Sequence, residues 1–334
     1  MRHAKAHTHM GAAESKPEGE RSLVGRGFTL RNKLLCKVDR VLAKGGFSTV
    51  YSCNSDSIAL KQVLIVEPDA ELEAMSEIRA HKLLGSSELV SQLMEVQVIM
   101  SPHLRNPQSP GRPSLGSALG KEILMFFPLY KRGSLGDALL AMAAAGGNQQ
   151  PNWLLPCARA VEYIHSKGLV HCDIKTINFM LLENDSCVLI DFGSSRQASE
   201  VNVVSKTQAL DEQERAERMS SAAYRAPELW DVPVAAELDL RAADVFALGC
   251  VFYACLFSPL GFTPFEHPVQ GLLPLAARTA SVPRFTSKSE NPMDQLVRSM
   301  LSKDPKLRPT AAQIASQLEA ISKQAEEDDF EVHF

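Results

Sequence analysis

The stretch His171-Cys172-Asp173-Ile174-Lys175-Thr176-Ile177-Asn178, followed by Asp191-Phe192-Gly193, sets an acid, a lysine, an amide and a second acid in a fixed order. Asn178 follows Asp173 at an interval of five residues, and Asp191 follows Asn178 at an interval of thirteen. These spacings suit phosphoryl transfer, which asks little covalent help of a protein. It needs a carboxylate to orient the attacking hydroxyl and oxygen ligands that hold magnesium against the phosphates. Asp173 can serve the first need, and Asn178 and Asp191 the second.

Working outward, the chain divides into a β-rich part and a helical part. Cys36 to Val66 holds short β-branched runs broken by Gly45-Gly46 and by Asn54-Ser55-Asp56-Ser57, which predict three antiparallel strands joined by tight turns. Residues 69 to 84 place Leu72, Met75, Ile78, Leu83 and Leu84 at helical spacing after Pro68. Two further strands are expected near 92–99 and 121–127. Between them, Ser101 to Gly120 is rich in Pro, Ser and Gly and predicts an exposed insertion. After Gly133, helices are expected over 134–145, 152–167, 241–257, 292–302 and 310–325. The polar stretch 1–27 has no apolar periodicity and predicts a disordered leader; 327–334 forms an acidic tail. The catalytic module is thus expected over 28–326, with a small lobe at about 36–127 and a larger one at about 131–326.

Composition narrows the function classes. At 334 residues, 45% hydrophobic and 22% charged, the chain can bury a large core. A net charge of −4 offers no basic stripe for nucleic acid. No apolar run of about 18 residues is expected to span a membrane, and the N-terminus lacks the apolar stretch of a signal peptide. The cysteines at 36, 53, 157, 172, 187, 250 and 255 show no paired zinc spacing and predict reduced, structural thiols. A cytoplasmic monomer is the expectation.

With these motifs in view, residues 36 to 325 resemble a eukaryotic protein kinase: an α+β, bilobal fold with a small antiparallel β lobe carrying one helix and a larger, mainly helical lobe. The resemblance extends to the Numb-associated kinase family, in the branch named for its myristoylated and palmitoylated serine/threonine kinase. It is carried by Gly45-Gly46-Phe47-Ser48, by Lys131-Arg132-Gly133-Ser134-Leu135, and by Ser205 to Tyr224 with its Gln208-Ala209-Leu210. Its implications are ATP and Mg2+ as cofactors and protein substrates as partners.

The same resemblance assigns roles. Ala43-Lys44-Gly45-Gly46-Phe47-Ser48-Thr49-Val50 sits where a glycine-rich turn brings backbone N–H groups to the ATP phosphates, although Ala43 and Ser48 replace two of the family's glycines. Lys61, in Ile58-Ala59-Leu60-Lys61, is implied to hold the α- and β-phosphates, paired with an acid of the first helix. Glu77 is the choice, with Glu71 and Glu73 as competitors. Phe127 is implied as gatekeeper, Pro128 and Tyr130 as backbone partners of adenine, and Val50 and Ala59 as apolar faces for its ring. Asp173 orients the substrate hydroxyl, Lys175 steadies the γ-phosphate, and Asn178 and Asp191 hold magnesium. A lysine two residues after the acid resembles serine/threonine kinases. Ser221 is implied to bridge Asp173 and Lys175, Arg308 to pair with Glu228, and Asp244 to brace the catalytic loop.

One departure from the family stands out. Its arginine before the catalytic aspartate is Cys172 here, and a thiol cannot grip a phosphate in two places. Activity independent of activation-loop phosphorylation is therefore expected, and Thr207 to Met219, full of helix formers, predicts an ordered helix in the segment from Asp191 to Ala226-Pro227-Glu228. Ala43, Ser48 and Cys172 also motivate a rival, a pseudokinase-like adaptor. Met10-Gly11-Ala12-Ala13-Glu14-Ser15 fits N-myristoylation if translation begins at Met10, and only acylated Gly11 is expected to bring peripheral membrane or Golgi association. The leader has no cysteine to palmitoylate.

Overall fold

The computed structural model describes residues 22–100, 120–145, 153–198, 201–258, 260–282 and 291–332, with side chains to 324 except that of residue 236. Gly11, the insertion at 101–119 and the last two residues of the acidic tail lie outside the described residues.

The small lobe is one antiparallel sheet in the order β1-β2-β3-β4-β6-β5, formed by β1 (Gly27–Thr29), β2 (Leu35–Lys44), β3 (Ser48–Cys53), β4 (Ile58–Ile65), β5 (Glu95–Met100) and β6 (Lys121–Pro128). Alternation explains the sheet: Cys36 and Val38 of β2, Tyr51 and Cys53 of β3, and Ile58 and Leu60 of β4 point into one apolar cluster with Phe126. The leader expected to run to residue 27 ends sooner. Leu23 is 1% exposed, and it joins Phe28 and Leu30 in that cluster. Three apolar residues in a polar run are too sparse a pattern to read as a strand, yet each fully buried side chain contributes about 1.5–3 kcal/mol.

Helix α1 (Pro68–Leu84) crosses the other face of the sheet. Its core face is Ala70, Ala74 and Ile78; the two alanines let the helix approach β4 and β6, and Ile78 fills the space between them. Leu72 and Leu83 of the expected apolar stripe point outward, 62% and 48% exposed.

The large lobe is built from α2 (Leu135–Ala144), α3 (Leu154–Ser166), α4 (Lys206–Met219), α5 (Leu240–Phe257), α6 (Pro274–Thr279), α7 (Pro292–Met300) and α8 (Ala311–Val332). Short antiparallel ladders link β7 (Leu169–Val170) to β10 (Arg196–Gln197), β8 (Phe179–Leu181) to β9 (Cys187–Leu189), and β11 (Val201–Val203) to β12 (Ala236–Leu238). A capping box starts α2: Ser134 Oγ accepts from the Asp137 amide while Asp137 accepts from the Ser134 amide, worth about 1 kcal/mol. Helix α8 runs past the expected end at 325 into the acidic tail.

Helix α5 corrects one expectation. Its 18 residues, at a mean hydropathy of 1.7, are long and apolar enough to cross a membrane. They are buried instead: Phe246, Leu248, Val251 and Phe252 form the centre of the large core with α3, α7 and α8. An apolar helix of this length serves equally as the axis of a lobe. All seven cysteines carry free thiols.

Candidate active site

The site lies where β4, α1 and the loops after β7 and β9 meet. Strand alternation puts Ala59 and Lys61 on one face of β4, with Lys61 opposite Met125 and Ala59 opposite Phe127 on β6. From there Lys61 Nζ donates to Glu77 Oε2 of α1 at 2.7 Å and to Asp191 Oδ1 at 2.7 Å. Burial would depress the lysine's pKa, but the two carboxylates outweigh it and hold the ammonium above its ordinary value. The Lys61 charge pulls Asp191 down to about 2, so that carboxylate is ionised at any physiological pH. Burial raises the Glu77 carboxyl against the pull of Lys61. Of the competing acids, Glu71 pairs with Lys121 instead, and burial raises the Glu73 carboxyl beside Arg218.

Asp191 adopts a left-handed conformation at φ 63°, which turns its side chain toward Lys61 and drops Phe192 into the core. The Phe192 ring lies 5.1 Å from that of His81 and 5.2 Å from that of His171, and His81 is in turn 5.3 Å from Phe127. A column of rings therefore runs from Phe127 through His81 of α1 to Phe192 and on to His171, in the loop that carries Asp173. His81 escaped sequence reasoning because a histidine on a helix carries no distinguishing pattern. It is 6% exposed, its Nε2 has no hydrogen-bond partner, and burial together with the Lys61 charge lowers its pKa to about 4.

Asp244, buried on α5, organises the catalytic loop. Its two oxygens accept from the amides of His171 at 2.7 Å and Cys172 at 2.9 Å, and Oδ2 also lies 3.0 Å from His165 Nε2. Cys172 sits at φ 66°, and this strained turn presents Asp173 to the cleft. Asp173 Oδ2 accepts from Lys175 Nζ at 2.6 Å and Oδ1 from the Ser221 amide at 2.9 Å; Lys175 also donates to Ser221 Oγ at 3.0 Å. Asn178 Nδ2 donates to the Asp173 carbonyl at 2.8 Å. Acid, lysine and serine thus form one closed network.

The nucleotide-loop residues are partly open. Gly45 donates its amide to the Ser48 carbonyl at 2.7 Å, and a Cβ on Gly45 would meet Ser48 Oγ at 3.1 Å, whereas one on Gly46 would meet nothing. Gly46, Phe47 and Ser48 line a cleft of about 330 Å³ together with Lys61, Glu77 and Asp191. Ala43 and Lys44 lie on β2, paired with Val50 and Thr49 of β3. Pro128 ends β6 and is half-buried like Tyr130 beyond it.

The donor chemistry fits a divalent cation and a triphosphate. Asp191 keeps its Oδ2, and Asn178 its side-chain carbonyl, clear of protein partners among the described residues. Both are hard oxygens of the kind magnesium takes. Lys61 and Lys175 supply the positive charge that phosphates require.

Such a fold around such a network defines a class. Residues 36–318 match the protein kinase domain, and the chain belongs to the protein kinase family. It is 31% identical over 295 residues to serine/threonine-protein kinase 16 of Homo sapiens and 30% identical over 295 residues to that of Mus musculus. Both matches cover 85% of this chain and 89% of the relative. The enzyme is a protein serine/threonine kinase; its family uses ATP and Mg2+ and acts on protein substrates.

Proposed function

We propose that this chain transfers the γ-phosphoryl group of ATP to a serine or threonine hydroxyl without needing a phosphate on its own activation segment. The observation that carries the reading is the pair of closed networks, Lys61 with Glu77 and Asp191, and Asp173 with Lys175 and Ser221, each made entirely by the chain's own side chains and backbone. Asp173 orients the acceptor hydroxyl and takes up its proton. Lys175 lies beside it to offset charge on the transferred group, and Lys61 steadies the inner phosphates. Asn178 and Asp191 hold magnesium, which neutralises the phosphate oxygens when bound. Backbone of the loop at Ala43 to Ser48 covers the phosphates; Val50, Ala59 and Phe127 border the adenine, and Pro128 and Tyr130 offer it backbone groups.

Helix α4 supports independence from phosphate. Capped by Ser205, it is fixed at its far end by Ser194 Oγ donating to the Met219 carbonyl at 2.7 Å, and Arg218 reaches Asp69 of α1 at 2.8 Å. On the sequence resemblance, the enzyme is read as a member of the Numb-associated family, in the myristoylated and palmitoylated branch. It is read as a cytoplasmic monomer that meets membranes only where Gly11 becomes acylated, since one such chain gives marginal binding without a second signal.

One experiment tests both parts. Wild-type enzyme and an Asp191→Ala variant are incubated with ATP, Mg2+ and a generic protein substrate, each before and after phosphatase treatment. The wild type is expected to phosphorylate the substrate equally in both states, and Asp191→Ala to fall by about a hundredfold or more. Equal counts from the two proteins would favour the adaptor. Loss of wild-type activity on phosphatase treatment, recovered by restoring a phosphate to the segment, would overturn phosphate independence.

A further inference from the structure

We propose that Glu212 is a positioning residue for catalysis: its carboxylate is the internal anion that locks helix α4 to β10, the strand paired with the one leading into the catalytic loop. The inference rests on the phosphate-independent reading above and supplies its physical basis.

Arg196 is the other half of the lock. It follows Asp191 by five residues and lies on β10, where its backbone pairs with Val170 of β7. Three residues beyond Val170 the chain reaches Asp173, so the Arg196 backbone is tied to both catalytic acids. Its side chain leaves the strand for α4, with Nη1 2.7 Å from Glu212 Oε2 and Nη2 3.3 Å from Oε1. A two-point contact of this kind fixes orientation as well as distance. The partners are 24% and 19% exposed, against 55% and 52% for Arg218 and Asp69, so water and salt screen this pair far less.

The lock closes a circuit. Beyond Glu212, α4 runs to Met219, whose carbonyl holds Ser194, and then to Ser221, whose amide holds Asp173. Arg225 braces the same turn by donating to the carbonyls of Glu217 and Ser220. The path from Asp191 through Arg196, Glu212 and Ser221 back to Asp173 therefore contains one side-chain ion pair, and it is this one.

The charges around it show why a carboxylate is needed there. Arg196, Arg215 and Glu212 all bias the thiol of Cys172, the residue before Asp173, electrostatically. The other acid in reach, Asp244, is committed to the amides of His171 and Cys172. Arg215 has no ion-pair partner among the described residues, and Glu73 approaches it from the α1 side. Cys172 contributes no charge, because burial and then Asp244 push its thiol up and keep it protonated. Without Glu212, Arg196 would stand unpaired at the seam between α4 and β10, with the like charge of Arg215 on that same helix. Repulsion would lift α4 and loosen the Ser221 grip on Asp173, while the nucleotide contacts of the small lobe stay in place.

The test uses the full chain with Glu212→Gln, which keeps shape and removes charge, and Glu212→Ala, which leaves room for a small anion. Each is expected to lower kcat about tenfold with KM for ATP within about twofold. The thermal midpoint should move by less than about 3 °C, as for a change of about 1 kcal/mol in a domain of this size. Excess acetate is expected to restore kcat in Glu212→Ala, and neutral acetamide to leave it low; the charge swap Arg196→Glu with Glu212→Arg is a second route to recovery. Wild-type kcat in Glu212→Gln overturns the proposal, as does a loss that neither acetate nor the swap recovers. Phosphatase treatment of the wild type in parallel keeps the two claims apart. Loss of activity there overturns phosphate independence, whereas an active Glu212→Gln overturns only the role of Glu212.

Discussion

Asp173→Asn is expected to cut phosphoryl transfer by about a hundredfold to ten-thousandfold, the span over which a positioned acid–base group contributes. Nucleotide affinity should stay within about twofold, since Asp173 touches Lys175 and Ser221 and not the cleft under Gly46. Asparagine keeps the volume and one acceptor oxygen, so the Ser221 amide retains its partner and the loop its shape. What disappears is the negative charge that aligns the incoming hydroxyl and receives its proton; the new amide would also turn a donor toward Lys175. Single-turnover transfer measured alongside nucleotide binding decides the matter. A variant within about tenfold of wild type would show that this carboxylate does not aim the acceptor.

The largest effect on stability is expected at Arg308. Its side chain is fully buried and forks onto Glu228, at 2.6 and 2.8 Å, while also donating to the carbonyls of Ala242, Ser302 and Lys303. The guanidinium lies 4.9 Å from the centre of the Phe246 ring. Arg308→Ala strands an ionised Glu228 and three carbonyls in a dry site, a loss of about 3–5 kcal/mol out of the roughly 5–15 that hold a domain together. Lysine at this position should fare little better, because a point charge cannot reproduce the planar fork. Urea unfolding of both variants provides the measure, and a drop below about 1 kcal/mol for alanine would mean the pair is exposed in solution.

Much of this architecture is readable along the chain because it is local. The interval from Asp173 to Asn178 fixes a single tight loop. The run Ile58 to Lys61 declares a strand by alternation, and helix formers from Thr207 to Met219 announce α4 within a residue of its observed start at Lys206. Glu77 could be singled out from Glu71 and Glu73 only by counting sixteen residues on from Lys61, and the distances now place it there. The features that stayed hidden are long-range. The bond between Arg196 and Glu212 joins a strand to a helix through space, and neither residue stands out from other surface charges in the sequence. Leu23 gains its place by packing under Tyr51, 28 residues away. Apolar character alone likewise could not tell whether α5 belongs to lipid or to a lobe; the neighbours that surround it decide.

The histidine in the aromatic column ties the fold to the acidity of its surroundings. In the unfolded chain an imidazole takes its proton near pH 6.5; inside the column the same group resists until about pH 4. Unfolding therefore binds a proton throughout that window, and the native state loses ground steadily as pH falls from 6.5 toward 4, by about 3 kcal/mol in all. Because the ring stands between Phe127 and Phe192, the first part to yield on acidification should be the alignment of α1 with the loop that carries Asp191, ahead of the large lobe.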